Sequence, residues 1–358
     1  MQSIAAFFRG QKTCVTGASG FVGWHVAQQL IESGAKVQAL IRPGSCRDIP
    51  GGMENFAWIE GDLRRRDSLD QALRGCRYLF HVAGDYRFWT KDPRELFSNN
   101  VDGTANILEA ARKHGIEKIV YTSTVGILQK NPSGQLAEEK RLACEADLKG
   151  PYKRSKFQAY LAVKTRTDAG WPIVTALPTA PIGPRDLKPT PTGAIIVRLL
   201  NGRIPMLART GLNFVDVRQC ARGHLLALMH GEIGERYLLG GINLWLAEFF
   251  QMLQPYTPHS IPRHYSPHWL SHIAACVSEL AAARWTGKEP FVTRESVGMS
   301  IGPHFSTSAK AERELGYISG SIDNAVRDAV EYFHMRGLAP AARIDRFRRI
   351  EPDRIQVR

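Results

Sequence analysis

Three glycines spaced three residues apart stand between a short apolar run and a helical pattern near the start of the chain. Gly17, Gly20 and Gly23 follow a candidate strand at Thr13–Thr16 and open a candidate helix at Phe21–Ser33. Glycine at these places permits a tight turn, a close approach of the backbone to a pyrophosphate, and close packing of helix on strand. The helix N-terminus adds unpaired N–H groups and the positive end of the helix dipole. Because the motif joins a strand to a helix, it predicts a dinucleotide-binding turn.

Short apolar runs alternate with helical patterns as far as Pro178, which is typical of a parallel sheet covered by helices. The expected strands are Thr13–Thr16, Val37–Ile41, Phe56–Glu60, Tyr78–Val82, Lys118–Thr122 and Ile173–Leu177. The expected helices are Phe21–Ser33, Ser68–Arg74, Pro93–His114 and Tyr152–Ala169. We therefore expect an α/β fold with a doubly wound Rossmann sheet.

Beyond Pro178 the pattern becomes irregular. Four prolines fall within Thr179–Thr192, which predicts a rigid, irregular loop there. Shorter elements are expected after it, namely helices near Gly193–Asn201, Val217–His230, Leu244–Gln254 and Ser266–Trp285 and a strand near Arg236–Leu239. We predict a Rossmann domain over 11–180, a smaller mixed α/β substrate-binding region over 181–337 that is interleaved with it, and a basic tail over 338–358.

The chain carries a formal net charge of +13, which suggests anionic ligands or an anionic surface. Zinc-finger, basic-zipper and aromatic RNA-binding signatures are missing from the sequence, so nucleic acid is not expected as a partner. The six cysteines form no CxxC pair, which favours reduced thiols in a cytoplasmic protein. His264, His268 and His272 are four residues apart, but Pro267 interrupts their helical register, and we expect no metal site.

Two segments leave a membrane contact open as an alternative. No apolar run is long enough to span a bilayer, but the tail over 343–358 is rich in arginine and the 268–285 helix is apolar. A peripheral contact with the inner face of a membrane, a lipid-linked rather than a free small-molecule substrate, and a homodimer are therefore all retained as hypotheses.

The end of the second strand bears on the choice of cofactor. Enzymes that prefer NAD usually carry an acidic residue at this place, but here the strand is followed by Arg42. A guanidinium group would hydrogen-bond a 2′-phosphate, and Arg47 could assist. We expect NADP, with NAD as the alternative.

A tyrosine and a lysine four residues apart, Tyr152 and Lys156, lie on one face of a predicted helix. A free phenol has a pKa of about 10, so we expect the ammonium group one turn away to lower that pKa and to hold the nicotinamide ribose. Hydroxyl side chains at Thr122, Ser123 and Thr124 end the fifth strand, at the edge where ligands bind in open α/β sheets. One of them could hydrogen-bond the substrate oxygen that Tyr152 protonates.

Together these motifs resemble the extended short-chain dehydrogenase/reductases of the NAD-dependent epimerase/dehydratase family, which include sugar-nucleotide epimerases and dihydroflavonol-4-reductase-type reductases. Within that family the chain is most similar to hopanoid-associated sugar epimerases. The stretches that carry this similarity are DYRFW at 85–89, YKRSK at 152–156, PIGPRDLKPTPTG at 181–193, TGLN at 210–213 and GHLLAL at 223–228. The chain departs from the family pattern at Leu177-Pro178, where Asn-Pro is usual, and at Arg218-Gln219, where an acidic pair is usual.

The resemblance implies Thr124, Tyr152 and Lys156 as the catalytic residues. With the residues already discussed, the expected cofactor contacts are Gly17, Ser19, Gly20, Phe21, Val22, Gly23, Arg42, Arg47, Asp62, Leu63, Val82, Ala83, Gly84, Asn100, Ser123, Tyr152, Lys156, Pro178 and Thr179. The expected substrate contacts are Asp85, Tyr86, Trp89, Arg185 and Asn213.

These residues predict an oxidoreductase that transfers hydride at a carbonyl or carbinol, with an NADPH-dependent reductase of the dihydroflavonol-reductase type as our first hypothesis. A nucleotide-sugar or lipid-linked sugar epimerase that retains its cofactor is the alternative from the same family. For either activity, hopanoid (lipid) or sugar metabolism is the expected setting. A non-catalytic protein that senses the cofactor is the alternative from another class.

Overall fold

A parallel sheet lies at the centre of the computed structural model, which describes residues 3–45, 47, 53–129, 136–287, 289–290 and 292–340. Numbered along the chain, the seven strands found there in the main sheet are β1 (Lys12–Thr16), β2 (Lys36–Ile41), β3 (Phe56–Glu60), β4 (Tyr78–His81), β5 (Lys118–Thr122), β6 (Ile173–Pro178) and β9 (Arg236–Leu239). Their order is β3-β2-β1-β4-β5-β6-β9, and all neighbours are parallel. The predicted Rossmann sheet is confirmed.

A second, smaller sheet follows the first in the chain. Its strands are β7 (Ala180–Ile182), β8 (Thr210–Asp216), β10 (Ile242–Trp245) and β11 (Gly302–His304). Strand β8 lies at its centre, antiparallel to β10 and parallel to β7 and β11. The sheet is therefore mixed, with one antiparallel and two parallel pairs.

Helices cover both faces of the main sheet and the outside of the smaller one. They are α1 (Ile4–Phe8), α2 (Phe21–Glu32), α3 (Asp70–Leu73), α4 (Arg94–Phe97), α5 (Gly103–Lys113), α6 (Pro151–Asp168), α7 (Pro191–Leu200), α8 (Val217–His230), α9 (Leu246–Leu253), α10 (His268–Ala281), α11 (Arg294–Met299), α12 (Ala309–Leu315) and α13 (Asp323–Met335). One core packs α1, α2, α8 and α12 on the main sheet, a second packs α3, α5 and α6 on its other face, and a third joins the small sheet to α7, α9 and α13.

The structure corrects two expectations from the sequence. The predicted loop over Thr179–Thr192 contains strand β7, in which Pro181 is tolerated because, among the described residues, β7 pairs on one side only, with β8. Strand β8 was missed altogether, because Gly211 and Asn213 interrupt its apolar residues. The predicted tail beyond residue 340 lies outside the described residues.

The predicted helix over Pro93–His114 is a run of α4, a π-helical turn at Ser98–Asp102, and α5. Such turns insert one extra residue and are often found at functional sites. Here the turn places the buried side chain of Asn100 beside the end of β4.

Two buried histidines hold helices against the main sheet. His81 joins Thr16 of β1 to Thr104 of α5, with N···O distances of 2.8 and 2.9 Å. His224 of α8 lies 3.1 Å from Thr122 of β5. Burial lowers the pKa of His81 to about 3 and that of His224 to about 4, so both side chains stay neutral and fix the strand ends that carry the site.

The glycine turn has no room for side chains at two of its three positions. Gly17 has a φ of +76°, and a Cβ added to it would lie 2.7 Å from the backbone nitrogen of Ala83. A Cβ on Gly23 would lie 2.2 Å from the carbonyl oxygen of Gly17. The first turn of α2 therefore packs directly on the end of β1, as the sequence predicts.

We expect Gly23→Ala to destabilise the protein by about 1–3 kcal/mol, because the methyl group would collide with backbone that cannot move independently. The free energy of unfolding from urea titration measures this cost. Gly298→Ala is the control, since a Cβ there would lie 3.9 Å from the nearest atom, Cδ of Lys149. Equal stability of the two variants would contradict the tight packing of the turn.

Candidate active site

The glycine turn presents an open helix N-terminus at the carboxyl edge of the main sheet. Gly20 is the exposed N-cap of α2, and no side chain caps the helix there. The first N–H groups of α2 are thus available to an anionic group, and the helix dipole favours one. A Cβ on Gly20 would lie 3.2 Å from the Gly17 carbonyl oxygen and would fill part of the cradle.

The other predicted cofactor residues surround the same edge. Val82, Ala83 and Gly84 follow β4, Ser123 follows β5, and Pro178 and Thr179 lie at the end of β6. The Thr179 hydroxyl oxygen is buried and has no hydrogen-bond partner within the part of the chain that the structure describes. A glycine cradle and an unsatisfied hydroxyl along one crevice fit an extended dinucleotide with a phosphate at α2.

At the far end of the crevice, three arginines and two carboxylates lie around the ends of β2 and β3. Arg42 is exposed, and Arg47 forms an ion pair with Glu60. The Asp62 carboxylate binds Arg64 at 2.6 Å, and this hydrogen bond, with a smaller electrostatic effect of Arg42, lowers the pKa of Asp62. Sequence reasoning missed Glu60 and Arg64, because their pairing with the predicted cofactor residues Arg47 and Asp62 becomes evident only in the folded chain.

The three predicted catalytic residues come from two neighbouring elements. Tyr152 and Lys156 lie in the first turns of α6, and Thr124 comes just after β5. The Thr124 hydroxyl accepts a hydrogen bond from Gly126 N at 3.1 Å, and it also acts as a hydrogen-bond partner of the Tyr152 hydroxyl. The Lys156 ammonium group donates to the Thr122 carbonyl at 3.1 Å.

The acid–base properties of Tyr152 differ from our expectation. Burial raises the pKa of Tyr152 to about 12; the hydrogen bond with Thr124 lowers it, and the charges of Glu295 and Asp85 raise it further. We expected Lys156 to lower this pKa, but the net shift is upward and Lys156 is not among its causes. The lysine is directed at the end of β5, and burial lowers its own pKa to about 8. Tyr152 is therefore protonated at neutral pH and suited to donate a proton.

Asn100 links the loop after β4 to the catalytic helix. Its amide accepts from Asp85 N at 2.7 Å and donates to the Asp85 carbonyl at 2.9 Å and to the Ser155 hydroxyl at 3.0 Å. A Cβ on Gly84 would lie 3.2 Å from the Lys156 ammonium nitrogen. The π-helical turn thus sets the distance between this loop and α6.

The predicted substrate residues after β4 differ in their contacts and in their exposure. The Asp85 carboxylate binds Arg87 at 2.6 Å and accepts from Asn99, so it anchors the loop. Tyr86 is exposed and donates to the Lys188 carbonyl at 3.2 Å, and Trp89 is half-buried. Phe88, which sequence reasoning did not single out, packs its ring 5.5 Å from that of Tyr152.

The two remaining predicted substrate residues, Asn213 and Arg185, make contacts within the protein. Asn213 is buried, and its amide accepts from Gly241 N at 2.8 Å and donates to the Asn243 side chain at 2.8 Å. We therefore correct its assignment: it joins β8 to β10. Arg185, with a φ of +74°, stacks its guanidinium 4.5 Å from the centre of the Trp24 ring on α2.

No group of three or more metal-ligating side chains occurs in the part of the chain that the structure describes. Helix α10 begins at His268, after Pro267, so His264 lies outside the helix that carries His268 and His272. None of the helices in this part of the chain is long and apolar enough to cross a membrane.

Comparison with known proteins identifies the family. The model of the NAD dependent epimerase/dehydratase family matches residues 13–240. The chain belongs to this family. It is 41% identical, over 90% of its length and 94% of the relative, to a Synechocystis protein named as a candidate dihydroflavonol 4-reductase. It is 31% identical, over 91% of its length and 99% of the relative, to sterol demethylase protein B of Methylococcus capsulatus.

A solved structure supports the same assignment. The crystal structure of gox2253 is 41% identical and superimposes with a TM-score of 0.81, covering 92% of this chain and all of that one. The chain is thus an NAD(P)-dependent enzyme of the extended short-chain dehydrogenase/reductase type. The membership agrees with the resemblance drawn from its motifs.

In this epimerase/dehydratase-family chain, a glutamate from the distant helix α11 caps the catalytic helix. The buried Glu295 carboxylate accepts hydrogen bonds from Tyr152 N at 3.3 Å and Lys153 N at 3.1 Å. Gly150, with a φ of +96°, makes room for it, since a Cβ there would lie 2.1 Å from a Glu295 oxygen. No local sequence signal reveals this contact, because the partners lie more than 140 residues apart.

Burial raises the pKa of Glu295 to about 7 from an ordinary value of 4.5, although its bonds to Lys153 and Tyr152 oppose the shift. A carboxyl group whose pKa is raised by folding costs stability once it ionises. The contribution of Glu295 to the free energy of unfolding should therefore fall as the pH rises from about 4.5 to about 7. Buried His81 and His224 act in the opposite direction, because their pKa values lie below the ordinary value of 6.5.

We expect Glu295→Gln to remove about 1–3 kcal/mol of this decline, because the neutral amide does not ionise. Urea unfolding at several pH values between these limits measures it. Glu279→Gln is the control, since Glu279 pairs with Arg294 and does not touch α6. An unchanged pH dependence in Glu295→Gln would show that Glu295 does not titrate there.

Proposed function

We propose that this chain is an NADPH-dependent reductase of the dihydroflavonol-reductase type, which converts a ketone on an apolar, ring-containing substrate to an alcohol. The packing of Phe88 against Tyr152, with 5.5 Å between ring centres, carries this proposal. An aromatic wall beside the proton donor suits a flat apolar ring, which can stack on it. The names of two similar proteins support it, since dihydroflavonols and sterols are both built on fused rings.

The charges on the substrate side also favour a neutral substrate. Arg87 binds the carboxylates of Asp85 and Glu95 at 2.6 and 3.0 Å. Arg185 lies over the Trp24 ring. A nucleotide-sugar diphosphate would have to draw these guanidinium groups from their present contacts, whereas a neutral ring compound would not.

The protein's own groups then supply proton transfer and orientation. The bound nicotinamide supplies the hydride. Tyr152, protonated at neutral pH, gives its hydroxyl proton to the carbonyl oxygen, and the Thr124 hydroxyl hydrogen-bonds the same oxygen. We expect Lys156, which lies beside Gly84, to bind the cofactor ribose.

Arg42 supports NADP as the cofactor. It follows β2 directly and is exposed, so its guanidinium group is free to turn toward a 2′-phosphate. Arg47 is a weaker candidate than the sequence suggested, because its guanidinium group already pairs with Glu60.

A sugar epimerase is the second candidate, favoured by the similarity of the 181–193 stretch. An epimerase must retain its oxidised cofactor through the cycle, whereas a reductase exchanges it at every turnover. Denaturing the purified protein and identifying the released nucleotide separates the two. Tightly held NAD⁺ would contradict the reductase, and an empty site that takes up NADPH would support it.

We expect Tyr152→Phe to lower turnover by about 10²- to 10⁴-fold while NADPH binding stays intact, because only the proton donor is lost. NADPH consumption with dihydroquercetin and with a 3-keto steroid as probes measures turnover, and fluorescence titration measures binding. Tyr160→Phe is the control, since this buried hydroxyl on the same helix bonds Arg236 instead. Unchanged turnover in Tyr152→Phe would rule out this mechanism, whereas NADPH binding without any turnover by the unmodified protein would favour a cofactor-sensing role.

We expect Arg42→Glu to raise the Kd for NADPH by about 10- to 100-fold and to change the Kd for NADH far less, because only NADPH carries the 2′-phosphate. Arg74→Glu makes the same change of net charge at an exposed position outside the predicted site. If both variants weaken NADPH equally, the effect is one of overall charge and the assignment of Arg42 fails.

A further inference from the structure

Helix α10 turns its large apolar side chains toward solvent. Trp269, Ile273, Val277 and Leu280 are 65, 53, 63 and 68% exposed. Their spacing of three to four residues puts them on one side of the helix, and we refer to these four residues as the α10 stripe. Trp285 in the following turn is 79% exposed and lies beyond its end.

The opposite side of α10, which faces the protein, carries small residues. Ala275 is buried there, with Ser271 and Ser278 partly buried beside it, and Ala282, just after the helix, is buried on the same side. A surface helix of a globular protein normally has the reverse arrangement, with its apolar side toward the core. A continuous exposed apolar surface of this kind marks a contact with another apolar body.

The helix is attached to the active site on its inner side. Glu279 binds Arg294 at 2.7 Å, which ties α10 to α11, and α11 carries the Glu295 cap of the catalytic helix. Between the two helices, Glu289 accepts a hydrogen bond from the backbone of Phe88 at 2.9 Å. The α10 stripe therefore lies outside the same segment that borders Tyr152.

Acidic side chains are few around the stripe. The sequence between residues 257 and 300 has three, Glu279, Glu289 and Glu295. Glu279 and Glu295 are turned toward the protein, and the exposed Glu289 binds the backbone of Phe88. The guanidinium groups of Arg263 and Arg284 are exposed. An apolar stripe flanked by exposed cations is complementary to an anionic lipid surface.

We propose that the α10 stripe lies in the interface of a bilayer that contains anionic lipid, and that it holds the mouth of the active site against the membrane. The tryptophans at its two ends match the preference of this side chain for the boundary between headgroups and acyl chains. The proposal does not depend on the nature of the substrate, so the proposed function stands or falls separately.

Flotation of the full-length protein with vesicles tests the proposal. Vesicles of phosphatidylcholine with about one third phosphatidylglycerol should carry the protein upward, and pure phosphatidylcholine should do so much less. The variant Ile273→Ser/Val277→Ser/Leu280→Ser should lower the bound fraction at least about tenfold, because it removes most of the apolar stripe. Its melting temperature and NADPH binding should match those of the unmodified protein, since all three side chains are exposed.

The control variant is Ile233→Ser/Ile318→Ser/Met335→Ser, which removes three apolar side chains of similar exposure, 56, 67 and 68%, elsewhere on the surface. It should float like the unmodified protein. Flotation of the α10 variant at the unmodified level would overturn the proposal, as would failure of the unmodified protein to float.

Two other occupants of the stripe would give different results. A second copy of the chain would appear as a dimer in sedimentation that the α10 variant converts to a monomer, with no vesicle binding by the dimer. The basic tail over 343–358 would be responsible if its deletion alone abolished flotation while the α10 variant still floated. Either result contradicts a lipid-bound α10.

Discussion

The close approach of α2 to the end of β1 is the contact on which the rest of the site depends. The Gly23 position lies so near the Gly17 carbonyl that even a methyl group would collide with it, and Gly17 itself lies against the backbone of Ala83. These contacts bring the first turn of α2, the end of β1 and the loop after β4 to one point. His81 then joins the same strands to α5, whose preceding π-helical turn sets Asn100 beside the catalytic helix. The phosphate end and the catalytic end of the crevice are thus held by one continuous set of buried contacts.

Burial has as much influence on the chemistry of the site as the identity of its residues. The Tyr152 phenol has a raised pKa because it is enclosed, and the two carboxylates near it, Glu295 and Asp85, add to the shift. A proton donor is what reduction of a ketone requires, so the direction of the shift agrees with the proposed reductase. The cap that Glu295 places on α6 also couples the catalytic tyrosine to a helix near the C-terminus, and through it to α10. The catalytic helix is therefore joined through α11 to the helix that carries the proposed membrane surface.

Sequence reasoning succeeded where the determining interactions are local. The six strands before Pro178 follow from apolar runs bounded by turn residues, and the glycine turn and the Tyr152–Lys156 pair follow from fixed spacing. It failed where the partner is distant in the chain: Glu295, the pairing of β7 with β8, and the role of Asn213 all depend on contacts between residues far apart in sequence. The direction of the Tyr152 pKa shift was missed for a similar reason. A helical spacing places an ammonium group near a phenol, but only the folded chain determines burial and the direction in which Lys156 points.

A substrate that dissolves in lipid would explain two features together: the apolar side chains that α10 turns toward solvent, and the Phe88 ring beside Tyr152. A neutral ring compound that stacks on Phe88 is scarce in water and concentrated in membranes, because burial of its apolar surface is favourable there. An enzyme for such a substrate gains if its crevice opens at the bilayer. The proposed position of α10 agrees with this, since its apolar side faces outward while Glu289 of the following segment binds the backbone of Phe88. Association between copies alone would not explain why the stripe belongs to the segment whose Glu289 binds the backbone of Phe88, the proposed substrate-stacking residue.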